Sequence, residues 1–168
     1  MEQPAAPALA PVFPSRIAPG WQALPVRLIV GYGFMAHGYA KLARGPDTFT
    51  HILEGIGLPA PSFLAWAAIV AELAGGLAVL VGAWIPLAAI PMAIILLVAI
   101  VTVHLPNGFS SIKLQSVTPG GAHFGQPGYE TDLLYLAALA ALVIGGPGPL
   151  SADRWLPKLR LGHPAAPR

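Results

Sequence analysis

Few side chains in this sequence could do chemistry, and they sit in or beside long apolar runs. His37 and Lys41 share a face with Gly33 at a four-residue spacing, Glu72 stands alone in "FLAWAAIVAELAGGLAVLVGAW", His104 closes "LAAIPMAIILLVAIVTVH", and Glu130 and Asp132 open "ETDLLYLAALAALVIGG". Imidazole and ammonium groups donate hydrogen bonds, and carboxylates and imidazoles move protons. A second chemistry uses one ligand-capable residue per segment, His37, Glu72, His104 and Glu130, as a metal set of the kind that helix bundles assemble. Against the metal, a Glu-x-x-His signature is absent and Lys41 brings a competing positive charge. With no cysteine in the chain, thiol nucleophiles, thiolate metal sites and CxxC redox chemistry are excluded.

The elements that must position these groups are membrane spans. Phe63–Trp84 would extend about 33 Å as a helix, against a hydrocarbon core of about 30 Å, with Trp66 and Trp84 as interfacial anchors. The whole chain is 55% hydrophobic and 10% charged, far from the roughly 25% charge of a soluble domain. Four spans are expected, at about Leu24–Leu42, Phe63–Trp84, Leu87–His104 and Thr131–Gly146. The fold class is therefore all-α, an integral membrane four-helix bundle. Phe49, Ile52, Leu53 and Ile56 follow helical spacing after Pro46, which predicts a short interfacial helix in the first external loop. The glycines and prolines of 105–130 predict an irregular loop or re-entrant cap.

Residues 1–23 read as a Pro/Ala-rich tail, without a signal-peptide pattern, 24–156 as the helical domain and 157–168 as a basic tail. An even number of spans puts both termini on one side. Arg16, Arg27, Arg154, Lys158, Arg160 and Arg168 lie there, against Lys41, Arg44 and Lys113 opposite, so the termini are expected in the cytoplasm. The polar groups then converge on the external side. A carboxylate alone in hydrocarbon is costly, so Glu72 is expected to face Lys41 or His37. Gly31, Gly38 and the Ala74–Gly76 run would let the first two spans approach closely.

Plainer roles compete at several positions. Lys41 can snorkel to the headgroups, Glu130 and Asp132 can serve a helix start, and His104 can be solvated at a span end. Arg27 reads as an interfacial anchor, and His51 and His123 as surface residues. Tyr32, Phe34 and Tyr39 read as packing or as aromatic walls.

The runs "RLIVGYGFMAHGYAKL", "AELAGGLAVLVG", the His before "PNGF", and "GYETDLLYLAALAALVIGGPGPLSAD" together resemble the DoxX family of small four-helix bacterial membrane proteins, over about residues 24–156. The resemblance implies a location in the bacterial cytoplasmic (inner) membrane and a theme of quinone-linked sulfur oxidation and redox stress. It also implies an outward-facing pocket for a quinone or a small sulfur species. On this reading Glu72, His37 and Lys41 are the expected catalytic set, and His37, Lys41, His104 and Glu130 are expected to hold the cofactor. Quinone ranks ahead of a metal ion as that cofactor. No side chain here carries electrons reversibly, so the chain reads as a subunit of a quinone-linked oxidoreductase, and whether it is itself an enzyme stays open. Its expected partners are the lipid bilayer, a partner subunit and a second copy of the chain, with no sign of nucleic-acid binding. A non-enzymatic assembly or scaffold subunit is the remaining reading.

Overall fold

The computed structural model describes residues 20–154. Most of the expected N-terminal tail, the whole basic C-terminal tail, and Arg16, Lys158, Arg160 and Arg168 lie outside the described residues. Within them the chain is mostly helical: α1 Ala23–Ala43, α2 Pro46–Gly55, α3 Pro61–Val81, α4 Ile85–Ala99 and α5 Glu130–Gly145. Proline occupies the first turn of α2, α3 and α4, where its missing N–H has no helical partner to lose. Two helical stretches are long and apolar enough to cross a membrane, Pro61–Val81 and the continuous run Ile85–Asn107. The helix α1 is as long as α3 but carries Arg27, His37 and Lys41, and α5 has only 16 residues.

The expectation of an all-α chain is corrected at one place. Between α4 and α5 an antiparallel hairpin forms from β1, Leu114–Thr118, and β2, Gly121–Phe124. Thr118 pairs with Gly121 across Pro119–Gly120, and Gly121 takes a φ of 120° that a side chain would resist. The Pro and Gly that suggest irregularity are here turn residues of a two-stranded ribbon.

The contacts run in a ring: α1 against α3, α3 against α4, α4 against α5, and α5 back against α1, with α2 laid across α1 and α3. The α1–α3 contact is the most extensive. At its centre a Cβ on Gly31 would come within 2.7 Å of the Gly76 carbonyl oxygen, and one on Gly76 within 2.8 Å of the Gly31 oxygen, so only glycine fits at either position. Gly38 packs on Leu73 and on the Glu72 side chain in the same seam. The core is Val30 and Phe34 of α1, Val79 of α3, Ile85, Met92 and Leu96 of α4, and Leu139 and Leu142 of α5.

The two ends of this ring differ. The loop end holds α2, the hairpin and the N-termini of α3 and α5. The turn end holds the tight α3–α4 connection, Gly82–Trp84, and the segment after α5. Span two stops three residues short of Trp84, because Gly82 takes a left-handed φ of 74° and Trp84 one of 47°.

Candidate functional site

The four ring helices and α2 line a half-open cavity of about 640 Å³ toward the loop end. Its walls are largely apolar: Phe34, Phe49, Leu53, Leu64, three alanines of α3, and Ile94, Ile95 and Val98 of α4. His37, Lys41, Glu72, His104, Thr131, Asp132 and Tyr135 form its polar part.

Glu72 lies on the buried stripe of α3 formed by Ala65, Ile69, Gly75, Gly76 and Val79. It is 3% exposed, which in an apolar bundle demands a partner. Lys41 supplies it, donating from Nζ to both Oε1 and Oε2 at 2.5 Å. The same ammonium lies 5.0 Å from the centroid of the Phe49 ring, so α2 contributes a π face to the cation. Lys41 therefore turns inward to a carboxylate instead of snorkelling, and the pairing expected from the sequence is present.

On the other side, His104 Nδ1 and Asp132 Oδ2 form a short hydrogen bond between the end of α4 and the start of α5. A local change of helix geometry makes this contact. In an uninterrupted α-helix, at about 100° per residue, Val103 would continue the stripe of Ile85, Ala89, Met92 and Leu96, with His104 about a quarter-turn off it. Residues Ile100–His104 instead form a π-helical turn, which takes in about one extra residue. Val103 is left 44% exposed and His104 takes the inward place. With Nδ1–H given to the carboxylate, Nε2 is the ring atom left for a ligand.

Tyr135 and Phe34 close the floor edge to face, with ring centroids 5.5 Å apart. The tyrosine ring passes directly over Gly33, where any Cβ would collide with its hydroxyl. His37 lines the cavity and also a second, smaller concavity with Arg44, Thr48 and Phe49. Its ring is exposed.

Glu130 is the sequence-stated site residue that does not join the cavity. Its Oε2 accepts a hydrogen bond from the Ser111 backbone N–H at 3.0 Å, and its own N–H bonds to the Phe109 carbonyl. It latches the loop after α4 onto the start of α5. Among the described residues no group of three or more His, Cys, Asp and Glu side chains is close enough to hold a metal ion, so His37, Glu72, His104 and Glu130 are not gathered as one ligand set.

Asp132 and Arg27 have larger parts than their sequence positions suggest. Asp132 lies on one stripe with Leu139 and Leu142, which marks it as inward-facing. Arg27 shares a stripe with Val30, Gly31 and Phe34 and is 2% exposed, buried at the turn end. Its Nε donates to the Val79 carbonyl at 3.1 Å and Nη2 to that of Leu80 at 2.8 Å, while Nη1 donates to Pro147 at 2.8 Å and Leu150 at 2.7 Å. One guanidinium thus caps the C-terminus of α3 and ties it to the segment after α5. Asp153 completes the knot by accepting from the Trp84 backbone N–H at 3.1 Å, at the start of α4. Arg27 is an internal clamp and not a surface anchor.

An apolar helical ring with two helices long enough to cross a membrane and a polar-ended cavity is the architecture of a helical membrane protein, and the family agrees with it. The chain belongs to the DoxX family, whose model matches residues 22–105. It is also similar to an uncharacterized membrane protein of Mycobacterium tuberculosis, 35% identical over 144 residues that span 79% of this chain and 80% of that protein. No solved structure matches it.

Proposed function

We propose that this DoxX-family protein is a quinone-binding subunit of a membrane oxidoreductase. In this reading all four ring helices cross the bacterial inner membrane, both termini are cytoplasmic, and the loop end faces outward. The observation that carries the reading is the cavity itself: apolar walls around about 640 Å³, ending in two charge-bearing hydrogen-bonded pairs. That volume and lining suit a flat ring with two carbonyl oxygens far better than a small sulfur anion, which needs little space and many donors.

Two side chains at opposite walls serve the two quinone oxygens. Lys41 has a further N–H beyond those directed at Glu72 to give to an oxygen of the quinone, and His104 Nε2, which carries the lone pair while Nδ1–H is held by Asp132, accepts from the hydroxyl of the quinol. Reduction of a quinone to its quinol takes two electrons and two protons. The electrons come from a redox-active partner subunit. The protons pass through His104 and the Lys41–Glu72 pair, and His37 lies at the water-exposed rim to resupply them.

The test is a titration of detergent-purified protein with menadione, followed by quenching of intrinsic tryptophan fluorescence. Binding in the micromolar range, weakened about tenfold or more by His104→Ala and by Lys41→Met, supports the reading. The Lys41→Met, His104→Ala double variant should lose less than the sum of the single losses if both act on one ligand, and His37→Ala, at the rim, should leave menadione affinity largely intact. A scaffold reading draws on the fact that Glu72 and Asp132 are already internally partnered. It gains if menadione does not bind while both pairs prove important for stability.

A further inference from the structure

The cavity wall is exposed at two places of opposite chemistry. Wall residues that are also exposed fall into two groups: His37, Pro127 and Thr131 at the polar loop end, and Ala67, Ile94 and Val98 between α3 and α4. The second group lies on the two helices long and apolar enough to cross a membrane. Ala67 is about 9 Å along α3 from Pro61, which puts this place below the headgroups in the outer half of the hydrocarbon layer.

The sequence accounts for the gap. Near the turn end the two helices are in intimate contact, since a Cβ on Gly75 would come within 2.9 Å of Met92 Sδ. Toward the loop end α3 presents Ala67, Ala68 and Ala71, which leave the space a larger side chain would fill. Across from them stand Ile94, Ile95 and Val98, and Pro91 at the base removes a backbone donor from α4. The slot is apolar throughout its length and leads to the two ionisable pairs.

We propose that this slot opens sideways into the bilayer and holds the hydrocarbon chain of a membrane-resident ligand, whose polar head lies between Lys41–Glu72 and His104–Asp132. Resting on the quinone reading, this assigns the ligand class: a quinone with an isoprenoid chain, entering from the lipid, and not a water-borne quinone. Protons use the other mouth, so chain and protons reach the head from different solvents.

The cysteine-free chain makes the lateral opening directly testable. In proteoliposomes of phosphatidylcholine and phosphatidylglycerol, single variants Ala71→Cys, inside the slot, and Thr131→Cys, at the polar mouth, are treated with N-cyclohexylmaleimide and with a trimethylammonium methanethiosulfonate. The ratio of the two rates should favour the lipid-soluble reagent at least tenfold more at Ala71→Cys than at Thr131→Cys. Equal ratios, or the reverse order, overturn the lateral opening. A second arm compares menaquinone-4 with chainless menadione on the wild type and on Ala68→Phe, which fills the slot. A loss of tenfold or more for menaquinone-4 with menadione unchanged supports the chain site; equal losses, or none, overturn it. If the wild type binds neither quinone, the quinone reading fails, while the labelling ratio still decides whether the slot faces lipid.

Discussion

Replacing Arg27 should unfasten the turn end without touching the cavity. Its guanidinium donates four hydrogen bonds, at 2.7 to 3.1 Å, to carbonyls of two separate segments. Hydrogen bonds to charged groups contribute about 1.5–3 kcal/mol each in isolation, but they are not additive, and burying the cation offsets part of the gain. Val79 and Leu80 are also last-turn carbonyls that water can reach once the side chain is gone. Arg27→Met should therefore cost about 3 kcal/mol, roughly a hundredfold in the folded-to-unfolded ratio. Lysine cannot reproduce a planar fork that serves carbonyls in several directions, so Arg27→Lys should still cost about 2 kcal/mol. Equilibrium unfolding in mixed dodecylsulfate and maltoside micelles, followed by tryptophan fluorescence, measures both. Limited proteolysis should show faster cutting within Pro147–Ser151 in each variant. Full stability of Arg27→Met, or rescue of the fork by lysine, would refute this account of the clamp.

Four further outcomes are expected. Gly31→Val places two methyl groups against the α3 backbone and should cost about 3 kcal/mol or more, whereas Ala36→Val on the exposed face should change stability by less than about 0.5 kcal/mol in the same unfolding assay. Glu72→Leu alone should cost about 3 kcal/mol by leaving the Lys41 cation unpaired, and the Lys41→Met, Glu72→Leu double variant should recover most of that loss, as a double-mutant cycle will show. Deleting Val101 moves His104 into the place Val103 would hold in an uninterrupted helix, so the π-turn should become regular α-helix with His104 still inward; circular dichroism should hold its intensity and the reactivity of His104 to diethyl pyrocarbonate should stay unchanged. A reporter fused after Arg168 should report the cytoplasm and one inserted at Gly120 the exterior, and the opposite result would reverse the direction of access to the cavity.

The parts of this molecule that follow helical periodicity were legible in the sequence. The four long helices fall within a few residues of the spans that apolar run length suggests, and α2 lies where its i, i+3, i+4 pattern puts it. Glu72 and Lys41 meet because a buried carboxylate must find a cation, and few are within reach. What periodicity could not supply was phase. His104 reaches Asp132 only through a π-turn, and nothing in "AIVTVH" marks the extra residue. The hairpin was hidden because its strands are short and fully exposed, so no apolar alternation stands out. Arg27 was hidden by its place near a span end, where an arginine ordinarily faces headgroups, although its spacing with Val30 and Phe34 marked the inward side. Glu130 stayed ambiguous because a carboxylate at a helix start can turn either to the cavity or to the preceding loop.

The glycine seam between α1 and α3 also divides the molecule mechanically. Backbones in direct contact at Gly31 and Gly76 have no side chains between them to slide or repack, so the two helices behave as one stiff beam. The wall opposite α1 is built otherwise: α4 has lost a backbone bond at Pro91, and its continuation is unwound into a wide turn at Ile100–His104. Any breathing that widens the cavity between α3 and α4 would therefore fall on α4 and its neighbour α5, which hold the His104–Asp132 pair, more than on the seam that holds Lys41 and Glu72. One half of the polar end is anvil and the other is spring.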